Sequence, residues 1–322
     1  MDSEFELIKK YFYKPIKQNN FVKKGIGDDC ALISMIPNKL LAVSSDMLIQ
    51  DIHFFPNSDP EKLGYKALAV NLSDIAAMGA KPLAFNLSIS LPKIDHKWLK
   101  NFSKGLFSLA DFFNIDLIGG DTTKGNLCIC ISVIGCLSKN YVLTRDGAKK
   151  NDNIWVSGNL GDARLTLEIL KGNLNLKKNM QLKIQDSLHK PLPRVSLGLA
   201  LRGIATSAID ISDGLYGDLK HILNLSKLGA TIYSEKLPIS DVLKTQPKDI
   251  QLKCALNGGD DYELCFTAPK NKTNEVLKAS KISNTKVTYI GELNLTKKII
   301  IKDIDRKSIN ILNDSFDHFK KI

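Results

Sequence analysis

Apolar residues along the chain come in short runs or in alternation with polar ones. These segments predict strands near 29–34, 40–45, 83–91, 115–118, 127–137 and 153–157. A later series predicts strands near 206–211, 230–233, 262–267, 286–292 and 297–302. Between them, apolar positions recur at helical spacing over 60–79, 95–113, 162–171, 193–204, 214–228 and 271–281. The segments at 83–91 and 127–137 each adjoin further strand, so strands and helices do not alternate cleanly. The expected class is therefore α/β of the α+β type, with two domains of mixed sheets and flanking helices. The polar, turn-rich stretch TRDGAKKNDN at 144–153 suits a boundary, giving an N-terminal domain over 1–145 and a C-terminal one over 146–322. The stretch 171–194 is polar and ends in prolines, and reads as a long surface excursion.

The helix over 60–79 carries its own punctuation. Asp59 suits the N-cap, Pro60 the first helical position, and Gly79 with Pro82 the end. At helical spacing Lys62, Lys66 and Ser73 share one narrow solvent face, whereas Asp74 falls among Leu63, Ala67, Val70, Ala77 and Met78. A carboxylate on an apolar face is unfavourable unless partnered. Either Asp74 is bonded to a backbone amide or a lysine, or it faces a metal ion.

Other aspartates follow a related pattern. KLLAVSSDML runs a strand into Asp46, and IDLIGGDTT runs one through Gly119 and Gly120 into Asp121. TSAIDISDGLYGDLKHIL puts Asp210 at a strand end and Asp213 at a helix start, with Ser212 as the expected N-cap. In GIGDDCALI, two glycines lead into Asp28 and Asp29. One such residue would be an ordinary turn aspartate. Gathered together, carboxylates about 4 Å apart repel by about 1 kcal/mol in water and by several times that when partly buried. Such a set calls for cations, and oxygen donors with almost no His or Cys select Mg²⁺ shared with substrate phosphates. The glycine turns in WVSGNLGDARL and ISDGLYGDL each enter a helix and are expected to offer free amides to a phosphate.

Composition narrows the choice. The 322 residues are 43% apolar and 25% charged, as expected of a soluble globular protein of about two domains. The N-terminus lacks a signal-like pattern and no long apolar run occurs, so a cytoplasmic location without a membrane partner is expected. Six cysteines include Cys128, Cys130 and Cys136 at one strand parity. They lack paired C-x-x-C spacing and read as buried free thiols. The net charge of +11 would suit a polyanion. The lysines are nevertheless dispersed without interleaved aromatics, and AT-rich codon usage would produce the same excess. No nucleic-acid partner is expected. No G-x-x-x-x-G-K-[ST] loop and no H-R-D with D-F-G occurs, which excludes the common ATPase and protein-kinase plans. Arg145, in VLTRDGAKK, could hold a phosphate or form a surface ion pair. His53, taken alone, reads as a core or loop histidine.

In order and spacing, GIGDDCALI, SSDMLIQDIHF, YKALAVNLSDIAAMGAKP, LIGGDTT, VLTRDGAK, AIDISDGL, GGDDYELCF and the terminal SFDHF resemble the thiamine-monophosphate kinase family. The likeness spans residues 4–319 and is weakest at 171–192 and 240–253. NLSDIAAMGAKP is also close to motifs of the wider aminoimidazole-ribonucleotide synthetase-like superfamily. The resemblance implies ATP-dependent phosphorylation of thiamine monophosphate to thiamine diphosphate. It also implies several Mg²⁺ ions, a homodimer paired through the N-terminal halves, and a C-terminal tail that closes the substrate site. By the same resemblance Asp29, Ser44, Ser45, Asp46, Asp74, Asp121, Asp210 and Asp213 bind Mg²⁺. Gly120, Asp121, Arg145 and Ser212 contact ATP, and His53, Asp261 and Phe316 contact the substrate.

The acceptor phosphate oxygen is already anionic, so no acid–base residue is expected. Transfer would be in line, by positioning and charge neutralisation, without a covalent intermediate. The chain departs mildly from the family pattern. SSD stands for S-T-D, GGDDYE for G-G-E-D-Y-E with a shorter carboxylate at 260, and SFDHF for G-Y-D-H-F. Phe316 keeps a ring to stack on the thiamine and loses a hydroxyl. Two rivals are a sister enzyme, aminoimidazole-ribonucleotide or selenophosphate synthetase-like, and a basic binding protein without turnover. Cys30 opens an apolar segment and reads as structural rather than as a selenide-handling thiol.

Overall fold

The computed structural model describes residues 3–17, 21–34 and 36–309. The chain forms two compact units. One runs from the N-terminus to Ile75 and resumes over Ala80–Asn140; the other holds Ala76–Gly79 and the chain from Tyr141 onward.

The first unit begins with a short helix, α1 (Glu4–Leu7), closed by a capping box between Ser3 and Glu6. A two-stranded ribbon follows, β1 (Val22–Lys24) with β2 (Leu32–Ile33), and then the long strand β3 (Lys39–Ile49). Helix α2 (Pro60–Ala77), β4 (Lys81–Leu91), α3 (His96–Phe112), β5 (Asp116–Lys124) and β6 (Cys128–Ser138) complete it. The sheet order is β3-β6-β4-β5. β6 is antiparallel to both neighbours, and β4 and β5 run parallel.

Helix α2 starts as its sequence dictates: the Asp59 carboxylate accepts the N–H groups of Glu61 (2.8 Å) and Lys62 (3.1 Å). Its environment differs from expectation. Lys66 is 6% exposed and Ser73 is fully buried, so the supposed solvent face does not exist. Elsewhere the helix is in close backbone contact. Gly64 lies against the Phe102 carbonyl of α3, and Gly105 of α3 lies against the Glu61 carbonyl. Further along the helix, Ile75 packs over Gly135 of β6. A helix held this way is buried nearly all round.

The second unit holds β7 (Asn153–Ser157), α4 (Asp162–Leu170), α5 (Lys178–His189), α6 (Val195–Ala200), β8 (Ser207–Asp210), α7 (Leu215–Ser226) and β9 (Gly229–Tyr233). It continues with α8 (Lys248–Asn257), β10 (Leu264–Ala268), α9 (Thr273–Ile282), β11 (Val287–Asn294), β12 (Ile299–Lys302) and β13 (Ser308–Ile309). Its seven strands run in the order β13-β12-β9-β11-β7-β10-β8, and β12 with β9 is the parallel pair. Ile154, Val156, Ile209 and Ile232 of the sheet share one core with Leu219 and Ile222 of α7. Both sheets are mixed, as the sequence predicted.

Three expectations need correction. The polar stretch at 171–194 contains α5, whose Ile184 and Leu188 are buried one turn apart. Two apolar anchors in a lysine-rich segment are too few to announce a helix. Strands β3 and β5 run on to Ile49 and Lys124, so Asp46 and Asp121 lie inside strands rather than at their ends. The thiols are not all buried: Cys30 is exposed, in a bend before β2, and Cys128 and Cys130 are half-buried.

Candidate functional site

In the first unit the strand alternation of β3 sends Ser44 and Asp46 toward α2 and Ser45 to the opposite face. The Ser44 hydroxyl donates to the Asp74 carboxylate of α2. The Asp46 N–H donates to Asn71 Oδ1 (3.0 Å), and Asn71 Nδ2 donates to the Ala67 carbonyl (3.1 Å). Burial, and then the charge of Asp74, push the Asp46 carboxyl up to about 6. Asn71, buried and three residues before Asp74, was missed in the sequence, although helical spacing puts it one turn back on the same side.

Other expected residues of this unit stand apart. The Ser45 hydroxyl bonds across to β6, to Ser132 Oγ (2.9 Å) and the Ile131 carbonyl (3.2 Å). Asp46 is in register with Ile131, Ile131 with Leu87, and Leu87 with Gly120. Asp121 thus lies in the next row, with Met47, Cys130 and Ser88, on the far edge strand and about 14 Å from β3 by strand spacing. Gly120 has φ 142°, and a Cβ there would collide with the Leu87 carbonyl oxygen, so the position admits glycine alone. Asp28 forms an ion pair with Lys24, while Asp29 is exposed beside it. His53 closes the turn after β3, its Nδ1 accepting the Ile49 N–H (3.0 Å).

In the second unit, helix α7 is capped at Gly214 (φ 115°), not at Ser212 as expected. Asp218 reaches back from the first turn, and its Oδ2 accepts the N–H groups of Asp213 and Gly214, each at 3.1 Å. Burial, and then the neighbouring Asp213, push the Asp218 carboxyl up to about 7. The second glycine turn is organised the same way. Both oxygens of Asp261 accept the Gly161 N–H (3.0 Å), at the start of α4. The Leu160 N–H goes to the Pro238 carbonyl (2.8 Å) and the Gly158 N–H to the Lys286 carbonyl (2.9 Å). Several amides of these turns are therefore already bonded, those of Gly161, Asp213 and Gly214 by buried carboxylates. Nothing local to either turn reveals this.

The segment 258–263 ties the two turns together. Asp260 N–H donates to the Ser212 carbonyl and Tyr262 N–H to the Ile211 carbonyl, both at 2.8 Å. Between and beyond them, Asp261 holds Gly161, and Glu263 receives the Ser157 hydroxyl and a two-pronged contact from Arg194. Asp162, next in line, is pushed up to about 6 by burial despite a bond from the Ser240 hydroxyl (2.6 Å). Glu263→Ala is expected to lower unfolding free energy by about 3–5 kcal/mol, because the Arg194 charge would remain without its carboxylate. Urea denaturation checks this, and a loss below about 1 kcal/mol would demote the pair to a surface contact.

Asp210 is buried at the end of β8, paired in register with Leu264. Asp213 and Ser212 are half-buried in the turn that follows. Arg145 is exposed, its carbonyl accepting from Ser226 (3.3 Å). Phe316 lies outside the described residues. Among the described residues no three His, Cys, Asp or Glu side chains form a metal-holding group. The fit to a hard divalent cation rests in the first unit on Asp46, Asp74 and Ser44, all oxygen donors, two of them carboxylates in repulsive proximity. Surface cavities of about 410 and 490 Å³, lined respectively by Lys100 and Phe107 and by Lys183 and Ser240, include none of these residues.

The two units define a class. Residues 27–137 match the model of the AIR synthase related protein N-terminal domain, and residues 132–304 that of the C-terminal domain. The chain is 45% identical over 320 residues to the thiamine-monophosphate kinase of Buchnera aphidicola subsp. Schizaphis graminum, covering 98% of this chain and 99% of that one. The crystal structure of thiamine-monophosphate kinase from Stenotrophomonas maltophilia K279a superposes with a TM-score of 0.84 at 40% identity, covering 88% and 92% of the two chains. AaThiL complexed with AMPPCP and TMP superposes at 0.75 with 31% identity, covering 89% and 91%. The chain belongs to the thiamine-monophosphate kinase family.

Proposed function

We propose that this chain transfers the γ-phosphoryl group of ATP to thiamine monophosphate, giving thiamine diphosphate and ADP. The observation that carries it is the Ser44–Asp46–Asp74 group, set in a chain alike over its whole length to thiamine-monophosphate kinases. A relative of this fold holds AMPPCP, an ATP analogue, together with TMP. The proposed metal residues are those named from the sequence, Asp29, Ser44, Ser45, Asp46, Asp74, Asp121, Asp210 and Asp213. Mg²⁺ bound there would neutralise phosphate charge as it shifts during transfer. Arg145, exposed and without a carboxylate partner among the described residues, suits a nucleotide phosphate, and Gly120 and Ser212 complete the proposed nucleotide contacts.

On the acceptor side, His53, Asp261 and Phe316 are the proposed substrate contacts. Among the described residues Asp261 accepts from the Gly161 amide, and a carboxylate has lone pairs for more. A phosphate oxygen of thiamine monophosphate attacks the γ-phosphorus in line as the bond to the ADP oxygen breaks. No side chain need take a proton.

The proposed domains are 1–145 for nucleotide, metal and dimer contacts and 146–322 for the remainder. The proposed homodimer uses the open face of the first sheet, where Val43 is 68% and Met47 51% exposed on edge strand β3. No helix among the described residues is long and apolar enough to cross a membrane. A cytoplasmic location, where ATP is supplied, accords with the proposed substrates. ADP release on mixing the protein with Mg-ATP and thiamine monophosphate tests the activity. Product formed from thiamine alone, or none from the monophosphate, would overturn it.

A further inference from the structure

We propose that Asp218 is the positioning residue for the turn that carries Ser212 and Asp213, acting as a hydrogen-bond acceptor for that turn and not as an ion ligand. The inference deepens the kinase reading, on which it rests for the identity of the nucleotide.

The geometry is a closed ring. Asp218 is buried in the first turn of α7, and one of its oxygens receives both the Asp213 and the Gly214 N–H. Its own N–H donates to the Gly214 carbonyl at 3.0 Å, so one residue holds both polar atoms of Gly214. The preceding carbonyls are fixed independently: Ile211 and Ser212 accept the Tyr262 and Asp260 N–H groups. Relaxation toward α8 is blocked as well, since a Cβ on Gly214 would stand 2.9 Å from the Asn257 carbonyl carbon. The segment 260–263 thus pins the backbone at Ile211 and Ser212, and Asp218 pins it at Asp213 and Gly214.

The two donors share a single oxygen atom, and this makes the proposal testable. Asparagine can present a carbonyl oxygen at the same place and keep both bonds; alanine keeps neither. An ion ligand would be lost with either substitution.

The experiment compares Asp218→Asn and Asp218→Ala with the wild type. Magnesium–AMPPCP affinity is measured by calorimetry, thermal stability by circular dichroism, and kcat and KM for each substrate in the coupled ADP assay. Asp218→Ala is expected to weaken nucleotide binding by about 10-fold or more and to raise KM for ATP in parallel, because two amides of the turn lose their acceptor. KM for thiamine monophosphate should stay within about 2-fold, and Asp218→Asn within about 3-fold of wild type on every measure. An Asn variant as impaired as the Ala variant overturns the proposal, as does an Ala variant that binds nucleotide normally. Should the Ala variant not fold, the Asn result decides alone: native-like affinity supports the proposal and lost affinity overturns it. A wild type that binds nucleotide yet makes no thiamine diphosphate overturns the kinase reading, while the binding comparison still decides the role of Asp218. A wild type that binds no nucleotide overturns both.

Discussion

Asp46→Asn is expected to lower turnover by orders of magnitude and, in the absence of divalent ions, to make the protein harder to unfold at neutral pH. The Asp46 carboxyl is pushed up to about 6 by burial and by Asp74. Between about pH 4 and pH 6 the folded state therefore holds a proton that the unfolded state releases. The sign follows directly. Stability from this group is complete at acid pH and is lost as pH rises through about 6. At pH 7.5 the ionised residue destabilises the fold by about 1–3 kcal/mol, at 1.36 kcal/mol for each unit of displacement. Asparagine keeps the size and carries no charge. Urea titrations at pH 4.5 and 7.5 should show the variant gaining on wild type as pH rises. Added Mg²⁺ should then stabilise wild type and leave the variant unmoved. Turnover should fall by about 10³-fold, since a site of this kind accelerates transfer chiefly by neutralising charge on the moving phosphate. A variant that turns over normally would remove Asp46 from the site. One less stable than wild type at pH 7.5 would show that its charge is satisfied within the protein.

The second large effect belongs to the fold. Alanine normally improves on glycine inside a helix by about 1 kcal/mol. At residue 105 the sign should reverse, with a loss of more than about 3 kcal/mol. The new methyl would fall inside the contact radius of the Glu61 carbonyl oxygen, a backbone atom that cannot rotate away. Separating α2 from α3 would also open the close contact of Gly64 with the backbone of Phe102 and Leu106. Gly172→Ala is the control: its φ of 77° strains an alanine but the space around it is open, so it should lose about 1 kcal/mol. Thermal denaturation distinguishes the two. Equal melting temperatures would mean that the helices have room at their crossing.

The parts of this structure legible in the sequence are those set by neighbours along the chain. The Asp59 cap, the parity of Cys128, Cys130 and Cys136 and most strand positions depend on spacing alone. Asp46 and Asp74 were legible only as members of a larger set of aspartates read as gathered together, and the structure brings these two close enough to interact. Contacts across long separations were not. Asp261 holds an amide 100 residues earlier in the chain, and no pattern around Gly161 marks that amide as taken. Lys66 and Ser73 look solvated on a helical projection, which carries no information on what packs against that face, and both are buried. Helix α8 escaped for a related reason: Cys254, Ala255, Leu256 and Asn257 are buried in succession, leaving no stripe to detect.

Residue 260 holds the backbone in a left-handed conformation, φ 68°, where the chain bends from one pinned carbonyl to the next. Side chains with a short polar arm visit that region far more readily than longer ones, for which it is less favourable by about 1–2 kcal/mol. Aspartate at 260 therefore suits this bend better than the glutamate of the family pattern would. The departure that looks like a lost methylene is, for the main chain, a relief of torsional strain.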